Sequence, residues 1–302
     1  MTIAAGFNFT DGVLICADTK HSGGLRLFAS KVFVKDDYAN GSKSVFAYAG
    51  DMGYSRMGIQ HCEAAIAKTP RADSATLRSK VESEIAKLHR EHIYRHPNFK
   101  TGMLCVKLVI GLWSPIDGLR TYNTQDSQVM EFPGYALAGT GDYLGHYLIR
   151  PQYVDSSSPL EIVTSIAATA LASIKEFDDD CGGRTYLVVL RKDGTISPLS
   201  KLDTSRREDV ALRIARASGA LSVAVSKPEI DANELDKALS DFCSDVESAV
   251  KGATANTRLP KVIEDLGPGK AEHIRRKDAK TSTDAETCSE RSEGHSAHCK
   301  ER

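Results

Sequence analysis

Thr2-Ile3-Ala4-Ala5-Gly6-Phe7-Asn8-Phe9-Thr10-Asp11-Gly12-Val13-Leu14-Ile15-Cys16-Ala17-Asp18-Thr19 contains two short β-rich runs, 3–9 and 13–17, joined by Thr10-Asp11-Gly12. An Asp-Gly pair between apolar runs is a hairpin signal, because the central positions of a tight turn favour residues that accept positive φ. The rest of the chain is read outward from this hairpin.

Downstream, residues 25–34 predict a third strand, and the run 44–49 after Asn40-Gly41 predicts a fourth. Gly50-Asp51 closes that run and opens a helix to about Lys68, with Met57, Cys62, Ala65 and Ile66 on one face. A second helix follows Pro70, where Leu77, Val81, Ile85, Leu88 and His92 recur at spacings of three and four. Further strands are expected at 103–113, 119–122, 129–132 and 135–138. Ser158-Pro159-Leu160-Glu161 reads as a helix start, with Ser158 as N-cap, Pro159 at N1 and Glu161 at N3, ahead of an apolar helix at 162–174. Strands at 185–190 and 195–199 complete the pattern. Grouped rather than alternating blocks argue for mixed α/β layers, with antiparallel sheets packed on helices. A four-layer α-β-β-α sandwich is compatible with this order. No GxGxxG follows the first strand, which speaks against a doubly wound dinucleotide fold.

Hydrophobic residues make up 41% of the 302-residue chain and charged residues 26%, which excludes collagen-like and fully disordered chains. Thirty-nine Lys and Arg against 40 Asp and Glu leave a formal charge of -1. No chain-wide basic field therefore favours nucleic acid or an anionic membrane. No apolar run approaches the roughly eighteen residues needed to span a bilayer. Seven cysteines, odd in number and without a CxxC, fit a reducing cytosol, and the N-terminus lacks a basic leader and an apolar core. The expected location is cytoplasmic. Three parts are expected: a domain at 1–202, a helical extension at 203–266 and a disordered tail at 267–302. Charged helical patterns occupy 206–217 and 231–251, and from Gly267 onward Ile274 is the only large aliphatic residue.

The second residue carries the chemistry. If Met1 is removed, Thr2 opens the chain with a complete nucleophile–base pair: its hydroxyl attacks, and its own α-amine, with a pKa near 7.7–8.0, takes the proton. Around it stand Asp18 at the end of the second run, Lys31 in Ala29-Ser30-Lys31-Val32, and Gly50 closing Phe46-Ala47-Tyr48-Ala49-Gly50-Asp51. Further on lie Ala138-Gly139-Thr140-Gly141-Asp142 and Phe177-Asp178-Asp179-Asp180-Cys181-Gly182-Gly183.

In order and spacing these segments resemble a proteasome β-type subunit, from about residue 2 to 200. The resemblance implies the four-layer α-β-β-α sandwich of the N-terminal nucleophile (Ntn) hydrolases and a threonine-type endopeptidase. It implies Thr2 as nucleophile, Lys31 as the ammonium that eases alkoxide formation and Asp18 as the group that orients that lysine. It further assigns the oxyanion N–H to Gly50, and the groups about the terminal amine to Thr140, Asp178 and Cys181. Cys181 departs from the family's serine, and the loop before Lys31 is shorter by about three residues. With only Met1 before Thr2, activation is expected to depend on an aminopeptidase rather than on self-cleavage. By loop position Ser22 would bind the substrate main chain, and His21, Ala29, Phe33, Tyr48, Met52 and Arg56 are candidates for the side-chain pocket. No metal or organic cofactor is implied. Peptide or unfolded-protein substrates, a homo-oligomeric ring or stack and an ATPase partner follow by analogy. A small-molecule amidase of the same fold and a non-catalytic structural subunit are the alternatives, the latter opposed by Thr2, Asp18, Lys31 and Gly50 occurring together.

Other clusters carry less. His89, His92 and His96 share a helical face, but His89-Arg90-Glu91-His92 does not match HExxH, and a solvated or inter-subunit face is the better reading. Cys288, His295, His298 and Cys299 match no zinc module.

Overall fold

The computed structural model describes residues 2–23, 25–70, 73–98, 104–227 and 230–254. Residues 1–250 group as one compact unit and 251–302 as another. The expected tail at 267–302, with its Cys/His group, lies outside the described residues.

The opening stretch forms the hairpin β1 (Ile3–Phe9) and β2 (Gly12–Asp18), paired Ala4↔Ala17 through Phe9↔Gly12. It is the centre of a five-stranded antiparallel sheet, in which β10 (Tyr135–Gly139) flanks β1 and β11 (Thr185–Arg191) flanks β2. A short strand β12 (Ile196–Pro198) extends that edge. The second five-stranded sheet is an antiparallel meander of β5 (Val32–Lys35), β6 (Lys43–Gly50), β7 (Val106–Ser114), β8 (Gly118–Gln125) and β9 (Gln128–Glu131). Between β2 and β5 the chain makes a small separate ribbon of β3 (Lys20–Gly23) and β4 (Leu25–Phe28).

Side-chain alternation along the strands produces three apolar clusters. Ala4, Val13, Ile15 and Ala17 of the first sheet pack with Val45, Ala47, Ala49 and Val109 of the second. The opposite face of the first sheet, including Ile3, Phe7 and Leu14, buries against helix α4 (Leu160–Phe177) through Val163, Leu171 and Ile174. The short helix α3 (Asp142–Ile149) joins that cluster through Ile149. Phe46, Tyr48, Leu108 and Ile110 on the opposite face of the second sheet pack on α1 (Met52–Ala67) and α2 (Ser74–Leu88) through Ile59, Ile66, Leu77 and Ile85. Close approach of the sheets needs small residues: a Cβ added at Gly6 would lie 2.6 Å from Val109 Cγ1. The fold is thus mixed α/β, with six α-helices, two five-stranded antiparallel sheets and the two-stranded β3–β4 ribbon among the described residues.

Several elements differ from expectation. The strand expected over 25–34 is interrupted, because β4 turns back on β3 and only Val32–Lys35 joins the second sheet. Pro159 is the N-cap of α4 rather than its first helical residue, and no side chain caps that end. His89 does not face solvent: α2 passes into a π-helical turn at His89–Ile93, where His89 is buried. The helix expected at 206–217 is α5 (Lys201–Val225), followed by α6 (Ala232–Thr254). Among the described residues no helix is long and apolar enough to cross a membrane.

Candidate active site

Sheet register assembles the site at one end of the β1–β2 hairpin. Thr2 immediately precedes β1, and the antiparallel pairing puts it beside Asp18, the last residue of β2. The pairing of β11 with β2 aligns Thr185 with Asp18 and so brings the 181–184 turn alongside. On the other flank Ile3 pairs with Gly139, and the Thr140 N–H donates to the Thr2 carbonyl at 3.0 Å.

Thr2, Asp18 and Lys31 are all buried, the last two completely. The Thr2 hydroxyl donates to Asp18 Oδ1, and Lys31 Nζ donates to Thr2 Oγ1. Lys31 Nζ also lies 2.6 Å from Asp18 Oδ1 and donates to the Lys20 carbonyl. Asp18 is held by backbone donors as well, Ile3 N–H at 3.2 Å to Oδ1 and Gly182 N–H at 2.9 Å to Oδ2. Burial lowers the Lys31 pKa below the ordinary lysine value, while the Asp18 carboxylate opposes that shift. The result is an ammonium that is costly to keep charged without Asp18 and that directly contacts the threonine oxygen.

Gly50 ends β6 with φ +108, and a Cβ there would fall 2.0 Å from the Cys105 carbonyl oxygen. That oxygen accepts from the Asp51 N–H at 2.9 Å, so the turn leaving β6 is pinned by backbone contacts. Gly139 is similarly constrained: its φ is +121 and an added Cβ would fall 1.8 Å from the Thr2 carbonyl oxygen.

Asp178, the C-cap of α4, accepts the Cys181 thiol at 3.4 Å on Oδ2 and the Asp180 N–H at 2.9 Å on Oδ1. Burial, with the charges of Asp18 and Asp178, pushes the Cys181 pKa well up, so the thiol stays protonated and donates. The Thr140 side chain also hydrogen-bonds Cys181. These three residues therefore form a linked group, joined to Thr2 through the Thr140 N–H.

Of the pocket candidates, His21 is on β3 and Tyr48 on β6, with ring centroids 6.0 Å apart. Tyr48 N–H donates to the Lys31 carbonyl at 3.2 Å, which ties this pair to the backbone of the lysine that contacts Thr2. The Phe33 ring lies tilted against Tyr48 with centroids 5.9 Å apart, and Met52 opens α1 beside the same apolar cluster. Ala29 N–H donates to the Thr19 carbonyl at 3.0 Å, and Ser22 takes the β3 register position opposite Arg26.

Sequence reasoning passes over the groups that fix these side chains: the N–H groups of Ile3 and Gly182, the carbonyls of Lys20 and Cys105, and Thr19 Oγ1, which accepts from the Arg184 N–H at 2.9 Å. Backbone donors and acceptors leave no mark in residue identity. Only the strand register, once known, could have pointed to them. Among the described residues no group of three His, Cys, Asp or Glu side chains could hold a metal ion.

No family model matches the chain, and no curated protein matches it. Solved structures do. The chain is similar to Anbu (ancestral beta-subunit) from Yersinia bercovieri, at 12% identity and a TM-score of 0.61, over 76% of this chain and 99% of that one. A Gly-1 mutant of Anbu from Hyphomicrobium sp. strain MC1 aligns at 12% identity and a TM-score of 0.60, over 77% of this chain and 100% of its own. A helical assembly of the Anbu complex from Pseudomonas aeruginosa aligns at 14% identity and a TM-score of 0.57, over 76% and 99%. These neighbours correct the expectation of a proteasome β-type subunit or Ntn hydrolase drawn from the motifs. Short motifs at strand ends report which ends a fold brings together, and chains that share that fold also share those positions, so the motifs do not separate one branch from another. What the chain shares with the Anbu structures is their fold.

Proposed function

We propose that the protein is a threonine peptidase that hydrolyses peptide bonds through an acyl-enzyme on Thr2, exposed by removal of Met1. The observation that carries this reading is the buried contact of the Thr2 hydroxyl with both Lys31 Nζ and Asp18 Oδ1. A threonine hydroxyl with only a structural role has no need of a buried ammonium.

In this mechanism Thr2 Oγ1 attacks the scissile carbonyl carbon and its proton passes to the freed α-amine of Thr2. Lys31 stabilises the developing alkoxide, and the Gly50 N–H stabilises the tetrahedral oxyanion. The carbon–nitrogen bond then breaks, and the α-ammonium gives its proton to the leaving amine. Water next attacks the ester, delivers a proton to the α-amine, and releases the acid with Thr2 restored. Asp18 acts as a positioning residue for Lys31, and Thr140, Asp178 and Cys181 position the amine end.

Around this chemistry we read the packing as a four-layer α-β-β-α sandwich spanning 1–202, with a helical extension at 203–266 and a tail at 267–302. We further propose a homo-oligomeric ring or stack in the cytoplasm, acting on peptides or unfolded proteins with an ATPase partner; the helical assembly of the Pseudomonas aeruginosa Anbu complex supports the stacking alone. The test joins intact mass with activity. Loss of Met1, turnover of a peptide panel and its abolition in Thr2→Ala are expected. Retention of Met1, or no turnover together with no Thr2 adduct from a threonine-directed electrophile, would overturn the proposal.

A further inference from the structure

Beside the Lys31 backbone lies a set of polar groups that the reaction described above does not use. The Tyr48 side chain is completely buried, yet its hydroxyl has no hydrogen-bond partner. His21 is 8% exposed, and its Nε2 is likewise unpartnered. Buried polar atoms in folded proteins are nearly always satisfied, because one left open loses its bonds to water without replacement. Two such atoms on rings 6.0 Å apart, next to the nucleophile's lysine, point to a partner that arrives from outside the chain.

Charge indicates what that partner is. The Arg56 guanidinium, on the exposed side of α1, lies 5.6 Å from the Phe33 ring centroid, and Phe33 in turn packs 5.9 Å from Tyr48. Among the described residues no carboxylate lies within ion-pair distance of Arg56, whereas Lys31 is neutralised by Asp18. Asp51, the carboxylate that begins α1, is engaged as its N-cap on the Tyr54 N–H at 2.9 Å. Tyr48 keeps its proton, since burial pushes its pKa up to about 12, and so presents a donor. Burial, with Lys31 and Arg56, lowers the His21 pKa, while Asp18 and a hydrogen bond to the Ala29 backbone oppose that shift. An arriving anion offsets those cations and lets Nε2 take up a proton and donate.

We propose that His21, Tyr48 and Arg56 form a receptor for an acidic substrate side chain, so that cleavage is directed to the carboxyl side of glutamate. The proposal rests on the threonine peptidase reading and names its substrate class. A site built to hydrogen-bond and neutralise a group discriminates against analogues that lack it more strongly than an apolar pocket discriminates by size.

The test is a set of peptides identical except for Glu, Gln, Leu or Lys before the scissile bond, assayed for kcat/KM on the full chain. Glu is expected to exceed Gln and Leu by about tenfold or more. Arg56→Gln and Tyr48→Phe should each bring the Glu:Leu ratio toward one, and added salt should narrow the Glu:Gln gap. Peptide electrophiles carrying the same four residues, scored by mass as adducts on Thr2, give the ranking independently of turnover. Turnover led by Leu or Lys, or equal for Glu and Gln, would overturn the acidic receptor and leave the peptidase reading intact. No turnover and no adduct with any member would overturn both.

Discussion

Lys31 Nζ and Asp18 Oδ1 lie 2.6 Å apart with neither side chain exposed to solvent. Removing one member of a buried pair leaves the other charge without compensation, which typically costs about 3–5 kcal/mol, whereas replacing both costs much less. Asp18→Asn and Lys31→Met are each expected to destabilise the fold by about that amount, and the double variant by clearly less than their sum. Denaturant unfolding of the four proteins measures the coupling. Additive losses would show that the pair is not the unit the geometry describes.

Gly50 is the position where a single methyl group should act on backbone geometry and on chemistry together. Its φ of +108 disfavours any L side chain, and the Cys105 carbonyl oxygen occupies the space a Cβ needs at 2.0 Å. Gly50→Ala therefore forces the β6–α1 turn to move, at a cost of about 1–3 kcal/mol from the backbone conformation alone. If the Gly50 N–H is the oxyanion donor, kcat should also fall by about 10²–10³ with little change in KM. Thermal melting and steady-state kinetics separate the two effects, and an unfolding change without a kcat change would remove Gly50 from the chemistry.

The hairpin and the meeting of Thr2 with Asp18 were legible because Asp11-Gly12 makes the turn, and β1 and β2 then carry Thr2 to Asp18. Lys31 was reached only through the family resemblance, because the β3–β4 ribbon stands between it and β2. The β3–β4 ribbon was not legible, because Lys20-His21-Ser22-Gly23 has no apolar alternation and its pairing comes from a neighbouring strand rather than from a buried face. Helix α3 was missed for a related reason: it has only eight residues, no side-chain N-cap at Gly141, and an inward face built partly of Gly145. His89 was misread because its helical spacing is that of a surface stripe, but the π-helical turn rotates the chain at that point and buries the ring. The donors that fix Asp18 belong to the backbones of Ile3 and Gly182, which no side-chain pattern encodes.

Two buried histidines give the fold a sensitivity to acid. Burial lowers the pKa of His21 and of His89, and both ring nitrogens of His89 lack partners, although Asp126 partly opposes its shift. With folded pKa values below the unfolded value of about 6.5, the unfolded chain binds more protons in the window just under that value. Stability therefore rises with pH through that window, is complete above it, and is lost as the pH falls toward the folded values. Denaturant midpoints at a series of pH values between about 7.5 and 5 should decline, and His89→Leu should flatten the decline. A flat profile for the unmodified protein would contradict the assignment.

Glu208 ties α5 to the strand that flanks the site. Its Oε1 accepts from Lys175 Nζ at 2.6 Å and from the Thr185 hydroxyl, and Thr185 is the register partner of Asp18 on β2. Lys175 also donates to the Gly183 carbonyl at 3.2 Å, within the turn whose next residue back, Gly182, holds Asp18 Oδ2. Glu208→Gln retains an acceptor for Thr185 but loses the ion pair, and Glu208→Ala loses both. With side chains 13% exposed on each partner, Glu208→Ala is expected to cost about 1.5–3 kcal/mol and Glu208→Gln less. Because the contact lies behind the 181–184 turn, loosening it should also lower peptide turnover in the same order, with Ala below Gln. If both variants are as stable and as active as the unmodified protein, α5 is held by its apolar contacts alone and Glu208 contributes nothing to the position of Asp18.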